Sequence, residues 1–415
     1  MYRVNADPGS PDFYQDPYKS YATYPKNRII YWEHYQLRCL AGFDDVSRVL
    51  RDRRFGRVSP KTQPKPAHLA DFYNTEKFSL LNLEPPSHTR LRALINRAFT
   101  ARHINALQPS IAAAAHDCCD TMAQKEAHTG HAELIGDYAM PIPALMIARM
   151  FDLPESDIPK LLDWSHRMVV VYTLNQSKAQ ELSANEAAKD FHAYLTDKIE
   201  QRRVTPGDDL LSHLINAQPI SATDGAQTTS VSNTPSALTN EEIISTTILL
   251  LNAGHEATVH QIGNAVTTIL NSGLSPTALF ADHEQTQRTV DEVMRFCTPL
   301  HLFTRFAQVP IDDFAGLTLA PGDEIGLLLG AANRDPQRFS QPETFDPFRS
   351  DPGHLSLGAG IHYCVGAALA KLELTTALPI LFERFPQLSL VTPPRLKNSW
   401  HFHGYESIQV RCTPG

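Results

Sequence analysis

The stretch His354 to Lys371, HLSLGAGIHYCVGAALAK, constrains this chain more than any other. Glycines at 358, 360 and 366 let the backbone pass close to a flat ligand, and Cys364 stands just ahead of an Ala-rich run of helical character. A thiolate at a helix N-terminus is favoured by the positive end of the helix dipole and by backbone N–H donors. Those are the conditions an iron-ligating cysteine needs. For an isolated cysteine, plain burial in a glycine loop is the better reading; the whole pattern reverses that preference. The other cysteines, at 39, 118, 119, 297 and 412, form no CxxC or CxxCH pair. A disulfide framework, a zinc ribbon and covalently attached c-type haem are therefore disfavoured.

The chain has 415 residues, 42% hydrophobic and 20% charged, so a large core is available and collagen-like, coiled-coil and disordered classes are excluded. A net charge of -8 opposes a general phosphate-binding surface, and nucleic acid is not an expected partner. The N-terminus has no apolar core segment. The longest apolar stretch, Ile243 to Leu251, is interrupted by Ser245, Thr246 and Thr247 and is too short for a membrane span. The expectation is a soluble, unexported, cytoplasmic protein.

Ile29–Trp32 and Tyr35–Leu40 read as a hairpin and Asp44–Leu50 as a helix. Ser87–Phe99, Ile104–Gln124, Ala144–Phe151 and Ala184–Arg202 then show helical spacing. Leu317–Leu319 and Glu324–Leu329 flank an Ala-Pro-Gly-Asp turn and read as a second hairpin, with another expected around Trp400–Val410. Pro219–Thr239 is polar and reads as a mobile surface loop, with a domain linker as the rival reading. Thr239 with Glu242 is a capping box that opens a long helix.

Other stretches carry chemistry. Glu292 and Arg295 lie three apart on one helical face, and Phe345-Asp346-Pro347-Phe348-Arg349 supplies a second Arg. His88 and Arg92 lie four apart and can reach one anionic group together. Arg90, Arg97 and Arg102 read as a solvated basic face. Ala253 and Ala257, one turn apart in Leu249–Thr258, would leave a small-residue groove. His255-Glu256-Ala257-Thr258-Val259-His260 is one residue too long for the zinc motif H-E-x-x-H. Five residues turn a helix by about 500°, which separates the two histidines by roughly 140°.

The Cys364 loop resembles the haem-binding loop of the cytochrome P-450 superfamily, Phe-Gly-x-Gly-x-His-x-Cys-x-Gly-x-x-Leu-Ala-Arg. Gly358, Gly360, His362, Gly366, Leu369 and Ala370 match; Leu357 replaces the aromatic and Lys371 the Arg. Glu292, Arg295 and Arg349 resemble the family's buried structural triad. Ala253, Gly254 and Glu256 match its oxygen-side motif, but Ala257 stands where the family has a Thr that serves proton delivery, with Thr258 beside it.

The resemblance implies a mainly α fold with a small β part: a triangular single domain over 1–415. In it haem b lies between a long distal helix and the proximal Cys364 loop. It implies Cys364 as the iron ligand; Leu357, Gly358, His362, Gly366 and Ala253 against the haem; and His88, Arg92, Arg305 and His354 on the propionates. Glu256, Ala257 and Thr258 become the proton-delivery positions. Leu80, Leu81, Val170 (within Val169–Leu174), Leu250, Ala253, Leu302, Phe303 (within His301–Phe303) and Phe402 become pocket residues. The implied activity is that of a monomeric monooxygenase, oxidising an apolar small molecule with electrons from a ferredoxin and its reductase. A peroxide-driven peroxygenase and a non-catalytic haem sensor are the alternatives.

Overall fold

The computed structural model describes residues 1–27, 29–61, 64–172, 176–217 and 237–413. Most of the segment expected as a loop, Pro219–Thr239, lies outside these. Among the described residues no helix is long and apolar enough to cross a membrane. Contacts group the chain into two compact units. One comprises Met1–Thr62, Leu107–Pro143 and Gly254–Gly415; the other comprises Gln63–Ala106 and Ala144–Ala253.

The first unit holds a mixed six-stranded sheet in the order Tyr2–Val4, Ile30–Trp32, Leu37–Leu40, Glu324–Leu328, Leu302–Ala307, Phe55–Gly56. The expected early hairpin is there, with Ile30 opposite Cys39 and Trp32 opposite Leu37. Its second strand then pairs in parallel with Glu324–Leu328, and Leu302–Ala307 lies antiparallel beyond that. The Ala320–Asp323 turn does not close a hairpin. Leu317–Leu319 pairs backwards with Ile311–Phe314, while the strand after the turn enters the six-stranded sheet. The C-terminal expectation changes likewise. Tyr405–Ser407 pairs with Arg395–Leu396, and Gln409–Arg411 joins Ser389–Leu390 and Ala132–Glu133. In both places the turn is local, but its two arms do not take each other as partners.

One apolar cluster packs Val46, Val49 and Leu50, from the helix Phe43–Arg51, against Ile325, Leu327, Leu355 and Ala359. A second is aromatic, built from Phe13, Tyr21, Trp32 and Trp400. The helix Ala367–Arg384 packs on Gln108–Thr129. The expected helix Ile104–Gln124 is broken: Ala101–Asn105 ends before Leu107, and a new helix starts at Gln108 with Pro109 in its first turn. Pro lacks the N–H that a continuous helix would need there.

In the second unit the helix Lys178–Val204 buries Ala184, Ala187, Ala188, Phe191, Leu195 and Ile199, a stripe of helical period. It packs on Ile158–Val169 and Ala70–Glu76. Its start is set by a capping box, in which Ser177 Oγ accepts from Gln180 N and Gln180 Oε1 accepts from Ser177 N. The long helix Asn240–Ser272 opens on the expected box between Thr239 and Glu242.

Candidate active site

The Cys364 loop is shaped by its glycines. Gly358 and Gly360 both have φ +70, where an L side chain is strained. At Gly360 a Cβ would also come within 2.2 Å of the Leu50 carbonyl oxygen, so the loop rests on the end of the Phe43–Arg51 helix. The turn closes where Cys364 N donates to Leu357 O at 3.0 Å, and the helix Ala367–Arg384 begins just beyond, capped by Gly366. Cys364 is a half-buried thiol that takes part in no disulfide. A Cβ built at Gly366 would meet no heavy atom within 4 Å, so the backbone there borders open space.

Phe303 lies against this loop, its ring 3.5 Å from a Cβ built at Gly358. Arg305 is two residues further along the same strand and so shares its face; it is 2% exposed. Its Nη1 donates to Thr304 O at 2.8 Å. His354, expected on the propionates, sits among polar groups of this chain. Its Nδ1 accepts from Ser356 N at 3.2 Å and its Nε2 faces Asp291 Oδ1 at 3.6 Å, where Lys371 Nζ also binds at 2.7 Å. Burial would raise the Asp291 carboxyl, but His354 and Lys371 outweigh it and hold the group below the usual carboxylate range. Both ring nitrogens of His354 are therefore engaged by this chain's own groups. His362 is half-buried in the short turn Gly360–His362.

Glu292, Arg295 and Arg349 meet and are 4%, 1% and 7% exposed. Arg295 Nε and Nη2 donate to the two Glu292 oxygens at 2.7 and 2.8 Å, and Arg349 Nε donates to Glu292 Oε2 at 3.0 Å. The remaining donors of Arg295 reach the carbonyls of Asn333, Pro342 and Thr344. With the charges paired and the protons placed, the cluster is structural.

On the long helix, Glu256 and Ala257 are half-buried, and Glu256 Oε1 lies 3.7 Å from Nε2 of the buried His260. Thr258 is buried, its hydroxyl 3.4 Å from Gly254 O, and it turns away from the face of Glu256. Phe402 is half-buried and bridges Leu300, close to Leu302 and Phe303 in the chain. His301 is withdrawn from the expected pocket: fully buried, it contacts the Tyr21 hydroxyl at 2.8 Å and packs on His403 at 4.6 Å. Burial, reinforced by His403, holds it well below the usual histidine range and therefore neutral.

Within the second unit, His88 is buried and Arg92 half-buried on the helix Ser87–Ala98, and Arg92 Nε donates to Asn96 Oδ1 at 3.1 Å. Arg90 is not a solvated cation; it pairs with buried Glu242. Leu80 and Leu81 occupy the turn Leu80–Asn82, and Val170 opens the turn Val170–Tyr172. Both turns are pinned to Glu76, which accepts from Asn82 Nδ2 at 3.1 Å and from the Tyr172 hydroxyl at 2.6 Å. Leu250 is buried and Ala253 exposed on the long helix. Leu174 lies outside the described residues.

A thiol at the end of a glycine-shaped loop, with a buried guanidinium on the strand that packs against that loop, is a donor set that fits an iron porphyrin: a soft ligand and a cation for a carboxylate edge. The sequence profile of cytochrome P450 matches residues 13–272 and 278–402. The chain belongs to the cytochrome P450 family. Cytochrome P450 107B1 of Saccharopolyspora erythraea is 33% identical over 412 residues, covering 96% of each chain. The 6-deoxyerythronolide B hydroxylase of the same organism is 32% identical over 359 residues, covering 85% of this chain and 83% of its own. A solved structure of P450BioI, with an acyl carrier protein ligated to hexadec-9Z-enoic acid, is 30% identical, with TM-score 0.85 over 96% of this chain and 99% of that one. This P450 is accordingly a haem-iron monooxygenase of the bacterial type.

Three buried groups of this P450 were given no role by the sequence. His260 packs so tightly on Gly404 that a Cβ there would fall 2.2 Å from its Nδ1. Glu373, on the helix Ala367–Arg384, is 1% exposed, and burial raises its carboxyl to about 8, an effect the Thr258 hydroxyl partly offsets. Glu76 is the third. The i,i+4 spacing of Glu256 and His260 was readable; nothing local signals that Glu373 or Glu76 is buried.

Proposed function

We propose that this chain acts over its whole length as one cytoplasmic, monomeric P450 domain. It would hold haem b and insert one oxygen atom of O2 into an apolar small molecule, with electrons from a ferredoxin and its reductase. The observation that carries this reading is the half-buried Cys364 thiol in its glycine-shaped loop. When bound, the haem supplies oxygen activation. Cys364 would hold the iron as a thiolate, and Leu357, Gly358, His362 and Gly366 would line the ring on that side. Arg305, with His88 and Arg92, would take the propionates. Ala253 and Ala257 would leave room on the oxygen side, and Glu256 would hold the proton to be delivered there. Its neighbour His260, at 3.7 Å, would fix the orientation of that carboxylate.

Leu80, Leu81, Val170, Leu250, Leu302, Phe303 and Phe402 would exclude water and accept a bulky apolar substrate. The names of the relatives support polyketide-derived or acyl-chain compounds. Replacing Cys364 with Ser tests the reading: the ferrous carbon monoxide complex should lose the red-shifted absorption of thiolate ligation, and a variant that keeps it would overturn the assignment.

Ala257, which offers no hydroxyl for proton delivery, favours a second reading as a peroxide-driven peroxygenase. Product formation with hydrogen peroxide alone, set against ferredoxin, reductase and NAD(P)H, separates the two.

A further inference from the structure

The second unit also brings together two imidazoles and a carboxylate. His103 lies on the short helix Ala101–Asn105, Asp208 in the turn after Lys178–Val204, and His213 on the helix Leu210–Ile215. One ligand atom from each lies within 4.8 Å of the other two. Around an ion bound at about 2.0–2.1 Å, tetrahedral ligand atoms stand roughly 3.3 Å apart. His213 Nε2 and Asp208 Oδ1, at 3.0 Å, already have that spacing.

The surroundings prepare these groups for a metal. His103 Nδ1 is 2.9 Å from Ala98 O, so it carries the proton and leaves the Nε2 lone pair free; this backbone bond is the usual way a ligating imidazole is oriented. The rings of His103 and His213 are stacked at 4.6 Å and 15°, so the two imidazoles lie side by side. The turn is also fixed without an ion. Asp209 caps the helix through Ser212 N at 3.0 Å and pairs with Arg202 Nε at 3.1 Å, while Ser212 Oγ holds Gly207 N at 2.9 Å. Of the two adjacent aspartates, one is spent on that scaffold. The other, Asp208, keeps a side chain that is 94% exposed and faces His213.

We infer that His103, Asp208 and His213 form a binding site for a divalent d-block cation of the zinc class, with water completing the coordination. Two imidazoles and one carboxylate suit Zn2+ and not the hard, oxygen-seeking Mg2+. The bound ion replaces the proton shared by His213 and Asp208 and cross-links residues 101–105 to residues 208–213. It stabilises the folded chain, because the unfolded chain does not bring the three ligands together.

The test uses the haem-loaded enzyme stripped with a chelator. Zn2+ binding is measured by competition with a chromophoric chelator, and melting temperature is followed with Zn2+ and with Mg2+. Wild type should bind one Zn2+ more tightly than any other site on the chain and melt higher with Zn2+ but not with Mg2+. His103→Ala and His213→Ala should each weaken that site at least tenfold and abolish the shift, since losing even an orienting group around a metal costs about 10–100-fold. Asp208→Asn, which leaves the scaffold intact, should weaken it as well. Unchanged affinity in both histidine variants, or a wild type that binds Zn2+ no better than their double variant, would overturn the inference.

Discussion

Replacing Glu373 with Gln should stabilise the protein, and increasingly so between pH 5 and pH 7. The carboxyl is 1% exposed and is raised from an ordinary 4.5 to about 8, with burial the dominant cause. Because the folded-state value lies above the unfolded one, the folded protein keeps a proton that the unfolded chain releases above pH 4.5. This group's contribution is therefore intact below that pH and is lost as the pH climbs towards 8. At about 1.36 kcal/mol per pH unit, the loss is about 1 kcal/mol at pH 5 and about 3 kcal/mol at pH 7. Gln has the same shape and nothing to ionise, and every other titrating group is common to both proteins. The stability difference between variant and wild type should therefore widen by about 2 kcal/mol over that interval. Urea unfolding at each pH, followed by tryptophan fluorescence, measures it. A difference that stays constant from pH 5 to pH 7 would refute the reasoning, because Glu373 would then already be ionised in the folded state.

Glu292→Ala leaves Arg295 and Arg349 buried without their shared anion and should cost about 3–5 kcal/mol, seen as a lower melting temperature and poor haem loading; normal values of both would contradict the structural role. His354→Ala should leave haem retention unchanged in a transfer assay to apomyoglobin, whereas Arg305→Gln should speed loss; the reverse order would restore His354 to the propionates. A positioned proton-transfer group contributes about 10²- to 10⁴-fold, so Ala257→Thr should raise the product formed per NAD(P)H on poorly fitting substrates; equal coupling across all substrates would place the proton path elsewhere.

What could be read in the sequence follows the reach of each interaction. Cys364 with its glycines, and Glu292 with Arg295, are encoded by spacings of a few residues, so the loop and most of the triad were visible before any fold was known. The surroundings of His354 are not legible locally, because Asp291 and Lys371 arrive from two separate helices. Arg90 is drawn to Glu242 across 152 positions, and no local pattern marks it as paired. The strands after the Ala320–Asp323 turn show the same limit. Turn chemistry predicts a reversal of the chain, but the arm before the turn pairs with Ile311–Phe314 and the arm after it is drawn to Leu37–Leu40, about 290 positions away. Glu373 sits in a sequence that reads as an ordinary amphipathic helix, and only the packing around it makes its charge costly.

The strand order of the six-stranded sheet has a consequence for synthesis. Leu37–Leu40 pairs on one side with Ile30–Trp32, available at once, and on the other with Glu324–Leu328. While the ribosome makes the roughly 290 intervening residues, at about 5–20 per second, that edge waits about 15 to 60 s with its backbone donors and acceptors unmet. An unpaired strand edge is a template for the wrong neighbour. The nascent chain is thus most vulnerable to association with its own copies before the segment 324–328 emerges, and slowing translation upstream of it should lower the yield of soluble protein more than slowing it afterwards.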